Sequence, residues 1–424
     1  MSVLSRSIIL GGLRGPMSRR VGWGLVDQGL SSVTNFALAV LVARSVSPRE
    51  FGAFTLVLAA YAIMLGSSRA LTTEAFVVRF SAVDEATHRQ AAKAVTGAVL
   101  VVGCVFAGLT AVAAGFLTGT LQAAFVPLAV TAPALLLQDA WRQVFFAAGT
   151  PARAAANDFV WATAQAVFYT VLFLTAEPQA ASLLLAWGGA AGVAALFGLW
   201  QSRTAPNPAQ ARAWWTAHRD LSGRFAIEHA TISASMHATF YGIGAIAGLV
   251  AAGAIRGAQV ILGPVTLLLQ AVTFIAVPEG VRAKEHSLGR LKRGCVALSL
   301  VATTLALAWG GVALMLPDSV GAALLGETWS GARAVLPLLT IAWAAGCAAT
   351  GPLTGIRAMG AARQSLHVMM MSSPITLAAT LIGAFVAEAS GAAAGLAFGG
   401  VIQAALAWLA FGSVLRGAAR HSDR

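Results

Sequence analysis

The sequence predicts an all-α membrane protein, and two observations carry that prediction. Of the 424 residues, 58% are hydrophobic and only 10% are charged, whereas roughly a quarter are charged in an ordinary soluble domain. The apolar residues also form long runs, and a helix needs about 20 of them to cross the ~30 Å core of a bilayer. Because lipid cannot satisfy backbone hydrogen bonds, each span is a helix or a strand of a closed barrel. The alternation typical of barrel strands is not found in the sequence, so we predict helices.

About twelve spanning helices can be placed along the chain, and turn-forming residues separate several of them. Ser47-Pro48 follows the first apolar run, Glu177-Pro178 follows the fifth, and Pro317-Asp318 follows the ninth. Proline favours such boundaries because it cannot continue a regular helix without losing a backbone hydrogen bond. The predicted spans are 22–43, 51–68, 94–115, 121–147, 157–176, 181–200, 225–250, 257–279, 294–316, 332–356, 366–387 and 391–415.

The longest polar interruption, 201–222, lies near the midpoint and divides the helices into two sets of six. Met17, followed by Ser18-Arg19-Arg20, would be as good a first residue as Met1. The predicted domains are a cytoplasmic N-terminal tail (1–20), a first six-helix lobe (21–200), a cytoplasmic linker (201–223), a second six-helix lobe (224–416) and a cytoplasmic tail (417–424).

The basic residues predict the orientation, because Lys and Arg are enriched in cytoplasmic loops. With a cytoplasmic N-terminus, 24 of the 28 fall inside and only Arg44, Arg49, Arg256 and Arg333 fall outside. One missed or surplus helix would scramble this partition. We therefore predict a multi-pass protein of the plasma membrane with both termini cytoplasmic. The same bias explains the net charge of +12, so no nucleic-acid partner is predicted.

A weak internal repeat supports two similar lobes. Pro127-Leu128 and Pro337-Leu338 are 210 residues apart, and so are Arg153 and Arg363. In both segments a proline near the outer face leads to a basic turn inside. With six helices per lobe the two copies share one orientation, which predicts a parallel repeat, as in many transporters, around a central cavity.

Polar residues inside the predicted spans are candidates for lining that cavity. In the first span Asp27, Ser31 and Asn35 share one helical face, because they are four residues apart. Glu228 and Ser235 repeat the plan in the seventh span, with His237 on a neighbouring strip. An ionised side chain inside a span usually faces protein or water. The alternative is that Asp27 and Glu228, close to their helix ends, lie at the level of the lipid head groups.

Other polar residues receive simpler interpretations. Asp139 can pair along its own helix with Arg142 or Gln143, and Asn157-Asp158 can cap the start of the fifth helix. Four arginines near helix ends are interface anchors or, if they turn inward, phosphate ligands: Arg44, Arg69, Arg256 and Arg282.

Neither a catalytic site nor a cofactor is predicted. The three cysteines, Cys104, Cys295 and Cys347, all fall within predicted spans. Without an extracellular pair they predict no disulfide, and without a Cys/His cluster they predict no metal site.

Several short segments resemble a known transporter family. They are Gly22-Trp23-Gly24-Leu25-Val26-Asp27, Leu41-Val42-Ala43-Arg44, the turn Ser47-Pro48-Arg49-Glu50-Phe51-Gly52, and the stretch from Arg256-Gly257-Ala258-Gln259 to Pro278-Glu279-Gly280. These segments resemble the Wzx-type flippases of lipid-linked oligosaccharides, the last of them in an actinobacterial form. That family belongs to the MOP superfamily, together with the multidrug and toxin extrusion (MATE) transporters.

The resemblance implies a carrier that rocks two lobes to move a polyprenyl-diphosphate-linked glycan across the membrane for polysaccharide synthesis. Its partners would be that lipid-linked glycan and membrane lipids. Asp27 and Glu228 fit an anionic substrate poorly but suit coupling to H⁺ or Na⁺. A MATE-like antiporter of drugs or metabolites therefore stays open.

A third alternative is a membrane enzyme such as an O-antigen ligase or polymerase, which needs a sizeable outer loop. The longest outer segment here is 317–331, where Asp318 and Glu327 are the acidic residues.

Overall fold

The computed structural model describes Gly29 and residues 34–422, and every regular element in that part of the chain is helical. A short helix, Asp318–Leu325, lies between the longer helices Leu288–Leu314 and Thr328–Ala358. The last helix, Ala362–Ser422, is interrupted at Ala387 and Glu388, so that α11 covers 362–386 and α12 covers 389–422. The other helices are α1 Thr34–Ser45, α2 Pro48–Phe80, α3 Glu85–Phe116, α4 Gly119–Ala147, α5 Pro151–Thr175, α6 Ala180–Ser202, α7 Ala211–Ile246, α8 Gly248–His286, α9 Leu288–Leu314 and α10 Thr328–Ala358.

The described helices overlap the twelve predicted spans, the first of which (22–43) is described only at Gly29 and from Thr34 onward, and this confirms the all-α membrane fold. Eight of the described helices, counting Ala362–Ser422 once, are long and apolar enough to cross a bilayer. The remaining predicted spans correspond to α1, α7 and α8, and the described parts of α1 and α8 contain the shorter apolar helices Thr34–Ser45 and Gly248–Pro264. Glu388, with a φ of 48°, lies in the predicted turn at 388–390.

Several boundaries differ from the prediction, among them the starts of α3 and α8, which lie nine residues earlier, at Glu85 and Gly248. Three others bear on the site. The fifth helix begins at Pro151 rather than at 157, because proline is well tolerated in the first turn. The seventh begins at Ala211, inside the predicted linker, and its polar first turns carry the buried Trp214. The second helix does not end at 68 but continues through a π-helical segment, Arg69–Thr73, to Phe80.

The described chain divides into two compact units. The first contains the described residues up to Leu38 together with Val57–Ala234. Within it α4 is the central helix, packed against α3, α5 and α6. Trp141 of α4 is fully buried, and its indole N–H donates to the carbonyl of Ala195 on α6 at 3.1 Å. Gly198 provides the space for that indole, because a Cβ there would overlap it.

The second unit contains Ala39–Leu56 and the chain from Ser235 onward. Here α10 is the central helix, packed against α8, α9 and the α11–α12 hairpin. The Ser299 hydroxyl of α9 donates to the carbonyl of Ala348 at 2.8 Å and accepts the N–H of Gly351 at 3.1 Å. In both units, therefore, the central helix is the one that is fourth in its predicted set of six.

The N-terminal part of α2 packs with α8 in the second unit. A Cβ on Gly52 would overlap the backbone of Leu249, and Gly253 lies against the carbonyl of Pro48. The hydroxyl of Tyr241 donates to the carbonyl of Leu56 at 3.0 Å. Residues 39–56 therefore belong to a different unit from the rest of α2, while the lobes 21–200 and 224–416 stay a prediction.

Candidate functional site

The main polar feature of the first unit is an ion pair between α2 and α4. Arg69 donates from Nε and Nη2 to the two carboxylate oxygens of Asp139, at 2.8 and 2.5 Å. Asp139 is 5% exposed at its side chain and Arg69 is 34% exposed. Arg69 also begins the π-helical segment of α2, and such segments occur frequently at functional sites.

A second carboxylate, Asp158 of α5, joins the pair into a network. The Nε atom of Arg142, one turn beyond Asp139, lies 3.2 Å from Asp158 Oδ1. The Gln138 amide donates to the same Asp158 oxygen at 2.8 Å. Two arginines and two aspartates therefore compensate one another in the interior of this unit.

Asn157 ties the network to α6. Its amide donates to the carbonyl of Ala194 at 2.8 Å, and its own oxygen accepts the Gln138 amide at 3.2 Å. Asn157 is fully buried, and Asp158 is 4% exposed. At ~1.5 Å of rise per residue, Asp158 lies about 10 Å along α5 from its start at Pro151, which is the predicted cytoplasmic end.

A small cavity of about 10 Å³, room for about one water molecule, adjoins Asp158. It brings the predicted site residue Asn35 together with a carboxylate that the sequence analysis assigned to another role. Asp27 and Ser31, predicted on the same helical face as Asn35, lie outside the described residues. The cavity is lined by Thr34, Asn35, Asp158, Trp161, Ala162, Gln165 and Trp187.

Aromatic residues enclose the network. The Tyr61 ring meets Trp187 edge-on, with ring centroids 4.9 Å apart. The Trp161 indole N–H donates to the carbonyl of Trp187 at 3.2 Å. Trp161 and Trp187 line the cavity beside Asp158, and beside such apolar rings electrostatic interactions are stronger than in water.

The described site residues predicted on α7 are not among those that line the cavity beside Asp158. Glu228 is exposed, and its negative charge repels that of Glu74 on α2. Its neighbour His229 packs its ring against Gly66, where a Cβ would overlap the imidazole. His237 is partly exposed, and the side chain of Ser235 lies outside the described set. A role for these residues in transport stays a prediction.

The four arginines proposed as phosphate ligands fall into two groups. Arg44 is exposed at the end of α1, and Arg282 is exposed in an ion pair with Glu279 at 2.5 Å. Arg69 and Arg256, by contrast, lie well inside long helices. Arg256 is partly buried in α8, and its Nε atom has no hydrogen-bond partner among the described residues.

One local interpretation from the sequence is confirmed and one was wrong. Arg142 pairs with Asp139 along α4 as predicted, at 3.7 Å, although the bidentate partner of Asp139 is Arg69, 70 residues away. Asn157 and Asp158 do not cap α5, because that helix begins at Pro151 and both side chains are buried within it. Charged residues of both signs inside predicted spans were the signal that could have revealed the network.

Within the described part of the chain, no group of three or more His, Cys, Asp or Glu side chains is placed to hold a metal ion. Cys295 and Cys347 are buried free thiols, and Cys104 is an exposed one.

Comparison with known proteins identifies the fold through solved structures. No family model matches the sequence, and no curated protein matches it significantly. The lipid II flippase MurJ, in an inward closed conformation, matches with a TM-score of 0.67 at 10% identity, covering 92% of this chain and 87% of MurJ. An inward-facing MATE multidrug transporter matches with a TM-score of 0.64 at 12% identity, covering 93% of this chain and 99% of that one.

An outward-facing MATE transporter gives a TM-score of 0.59 at 13% identity, covering 96% of this chain and 97% of its own. At these identities the similarity concerns the fold. The chain therefore has the fold shared by MurJ and by MATE transporters of the MOP superfamily.

Proposed function

We propose that this protein is a flippase that moves a polyprenyl-diphosphate-linked oligosaccharide to the outer leaflet by alternating access. The fold shared with MurJ and with MATE transporters supports a transporter. The sequence resemblance to Wzx-type flippases favours a lipid-linked glycan of a surface polysaccharide as the substrate. The transported head group would then be an anionic diphosphate.

Arg256 is the observation that carries the choice of an anionic substrate. It lies eight residues after the start of α8 at Gly248, or about 12 Å along the helix. Its Nε atom is buried without a hydrogen-bond partner, and no carboxylate among the described residues pairs with it. Arg256, predicted just outside the eighth span, thus lies within α8, where an uncompensated charge is costly. A phosphate would offset that cost, whereas a cationic drug would add to it.

In the first unit, Arg69 is a separate candidate for binding phosphate. Asp139 engages its Nε and Nη2 atoms and thereby fixes the guanidinium plane. The remaining nitrogen, Nη1, has no partner among the residues that the structure describes, and a third of the side chain is exposed. A preorganised guanidinium suits phosphate because arginine binds its oxygens with well-defined geometry.

A cation-coupled antiporter of drugs or metabolites is the second candidate function. The cavity beside Asp158 favours it, because three of its other lining residues, Thr34, Asn35 and Gln165, carry side-chain oxygen atoms. Hard cations such as Na⁺ prefer oxygen ligands, and transporters place coupling ions at such intramembrane sites. A coupling ion bound in the same cavity would also drive a flippase. The two candidate functions therefore differ in the molecule that is transported.

For the enzyme alternative, the main candidate for a catalytic carboxylate is Asp318, and this residue has structural partners. In the outer segment 317–331, Asp318 accepts the indole N–H of Trp329 at 2.8 Å and also pairs with Arg333. These partners give the carboxylate a structural role, tying the short outer helix to α10. We therefore propose transport rather than glycosyl transfer.

A deletion strain tests the flippase directly. Synthesis of a lipid-linked glycan continues on the cytoplasmic side when its flippase is absent, so this intermediate should accumulate on the inner leaflet. The corresponding surface polymer should be lost. The measurement is the amount and sidedness of glycan-linked polyprenyl diphosphate, with complementation by the intact gene as the control. An unchanged pool and intact surface polymer would reject the flippase, whereas drug or metabolite sensitivity would favour the antiporter.

Variants of Arg256 test whether this residue binds the phosphate of the transported head group. Arg256→Ala should reduce complementation about tenfold or more, since hydrogen bonds to charged groups contribute roughly 1.5–3 kcal/mol. Arg256→Lys should retain part of the activity because it keeps the charge but not the planar donor set. Arg212→Ala, at an exposed position of α7, serves as the matched control. Normal surface polymer with Arg256→Ala at normal abundance would contradict phosphate binding by Arg256.

A further inference from the structure

A second, larger cavity lies in the first unit, away from the ion-pair network. Its volume is about 860 Å³, and most of its exposed lining is polar. The start of α3, the turn between α4 and α5 and the end of α6 form its walls. All three places lie at predicted cytoplasmic helix ends.

The walls of this cavity carry an excess of positive charge. Arg89, Arg153 and Arg203 line it, and Glu85 is its one acidic lining residue. Glu85 pairs with Arg89 at 2.5 Å. The guanidinium groups of Arg153 and Arg203 have neither an ion pair nor a hydrogen bond within the described chain. Two positive charges are therefore available to an anion.

Local helix stability does not explain the position of Arg153. It lies in the first turn of α5, which begins at Pro151, and the helix dipole disfavours a cation there. The N-cap residue Thr150 lines the cavity but makes no side-chain capping hydrogen bond. An anion at this helix end would interact favourably with both the dipole and Arg153.

The position of the cavity along α6 points to a lipid head group. Trp200, in the last turn of α6, lines the cavity and is 73% exposed. Tryptophan is enriched where the hydrocarbon core meets the head groups. A basic pocket at that level on the cytoplasmic side is the kind of site that binds anionic lipid head groups.

We propose that this cavity binds the phosphate head group of an acidic phospholipid from the cytoplasmic leaflet. The proposal rests on the predicted orientation of the helices and is independent of the transported substrate. Arg203 and Thr204 form part of the cavity and begin the connection to α7. The N–H of Asn207 in that connection donates to the carbonyl of Lys93 at 2.9 Å. A bound head group would thus hold the connection against α3 and α5.

Lipid retention by the purified full-length protein tests the proposal. In a nonionic detergent, native mass spectrometry would measure binding of phosphatidylglycerol, phosphatidylcholine and inorganic phosphate. We expect phosphatidylglycerol to bind most tightly, and its affinity to fall about fivefold for each arginine removed. The variants are Arg153→Gln and Arg203→Asn, alone and together. Asparagine is chosen because Arg203 has a left-handed φ of 52°, which asparagine tolerates.

Arg212→Gln removes an exposed arginine outside the cavity and should leave phosphatidylglycerol binding unchanged. Inorganic phosphate that binds as tightly as phosphatidylglycerol would overturn the proposal in favour of a soluble anion. Equal binding of the two lipids, or wild-type affinity in the double variant, would overturn it as well.

A second measurement does not depend on the arginine variants. Brominated phosphatidylglycerol should quench the fluorescence of Trp200, and the Trp200→Phe variant should lose that part of the quenching. Equal quenching in both proteins would contradict a head group in this cavity.

Discussion

Asp139 is a carboxylate that lies close to two arginines in the interior of the first unit. Its side chain is 5% exposed, and it accepts two hydrogen bonds from Arg69. Removing a charge from water costs several kcal/mol, which a well-formed pair offsets. Loss of one partner should therefore cost more than loss of both.

The first prediction concerns this pair. Asp139→Asn should destabilise the protein by about 3 kcal/mol, because it leaves buried positive charge without compensation. Adding Arg69→Gln should restore much of that loss. The measurement is thermal unfolding of the purified single and double variants in detergent. Arg89→Gln, which removes an exposed pair with Glu85, should cost less than about 1 kcal/mol. Simple additivity in the double variant would contradict the coupling.

The second prediction uses pH at Asp318. Hydrogen bonds from Trp329 and Arg333 lower the pKa of this carboxyl below its ordinary value of 3.8. The folded state thus binds the proton more weakly than the unfolded state. The contribution of Asp318 to stability is complete above that value and is lost as the pH falls through the lowered pKa.

Asp318→Asn should therefore lower the melting temperature at neutral pH, and the difference from the wild type should shrink on acidification below pH 3.8. Melting curves of both proteins along a pH series measure this. A difference that does not change with pH would exclude the ionised carboxylate as its cause.

Sequence spacing identified single site residues and the local partner of Asp139, Arg142, but not the partners that come from other helices. Asn35 was found because residues at spacings of four or eight share a helical face. Asp139 and Asp158 were noticed, yet spacing within one helix reports only neighbours three or four residues away. Arg69 reaches Asp139 across 70 residues of sequence, and such a tertiary contact leaves no local pattern.

At the scale of elements, the α11–α12 hairpin depends on a row of glycines on α12, formed by Gly391, Gly395 and Gly399. The spacing of four places all three on one face of α12. A Cβ on Gly391 would overlap the backbone of Gly383, and one on Gly395 would overlap that of Ala379. Small residues at this spacing let membrane helices approach closely. The sequence contained this motif, but hydropathy located only the helix and not its contact face.

The third prediction tests whether this row of glycines is needed for the packing of α11 against α12. Gly395→Ala should destabilise the hairpin by roughly 1–3 kcal/mol, because the new methyl group overlaps backbone that cannot move aside easily. Gly346→Ala in α10 is the matched control, since nothing lies within 4 Å of its Cβ position, and a helical alanine is favoured there. Thermal unfolding of both variants measures the effect. A stabilised Gly395→Ala protein would show that α11 and α12 are not held by this contact.

At the scale of the molecule, the partition of basic residues predicts which helix ends face the cytoplasm. Single cysteines can test it in a background without Cys104, Cys295 and Cys347. One replacing Arg212 should be protected from an impermeant thiol reagent in intact cells, whereas one replacing Ser319 should react. Strong labelling at 212 from outside would overturn the orientation.

The repeat inferred from Pro127 and Pro337 extends to backbone detail within each unit. Gly149 after α4 and Gly360 after α10 both have positive φ, 67° and 74°. In each turn the following N–H bonds to a carbonyl five residues back, from Thr150 to Phe145 and from Ala361 to Ile356. These are Schellman turns, and they support the predicted repeat. A hydropathy pattern reveals spans, whereas the matching turns emerge only from backbone geometry.

The placement of 39–56 in the second unit matters for genetic dissection of the protein. A break at 203–210 looks like a natural place to separate two halves, yet it parts Gly52 from Leu249, against which it packs. The C-terminal half alone would lack the segment that covers the start of α8. We expect that half to be degraded when expressed by itself and to accumulate when the N-terminal half is co-expressed. The two halves of this gene would thus behave in complementation as interdependent fragments rather than as two autonomous modules.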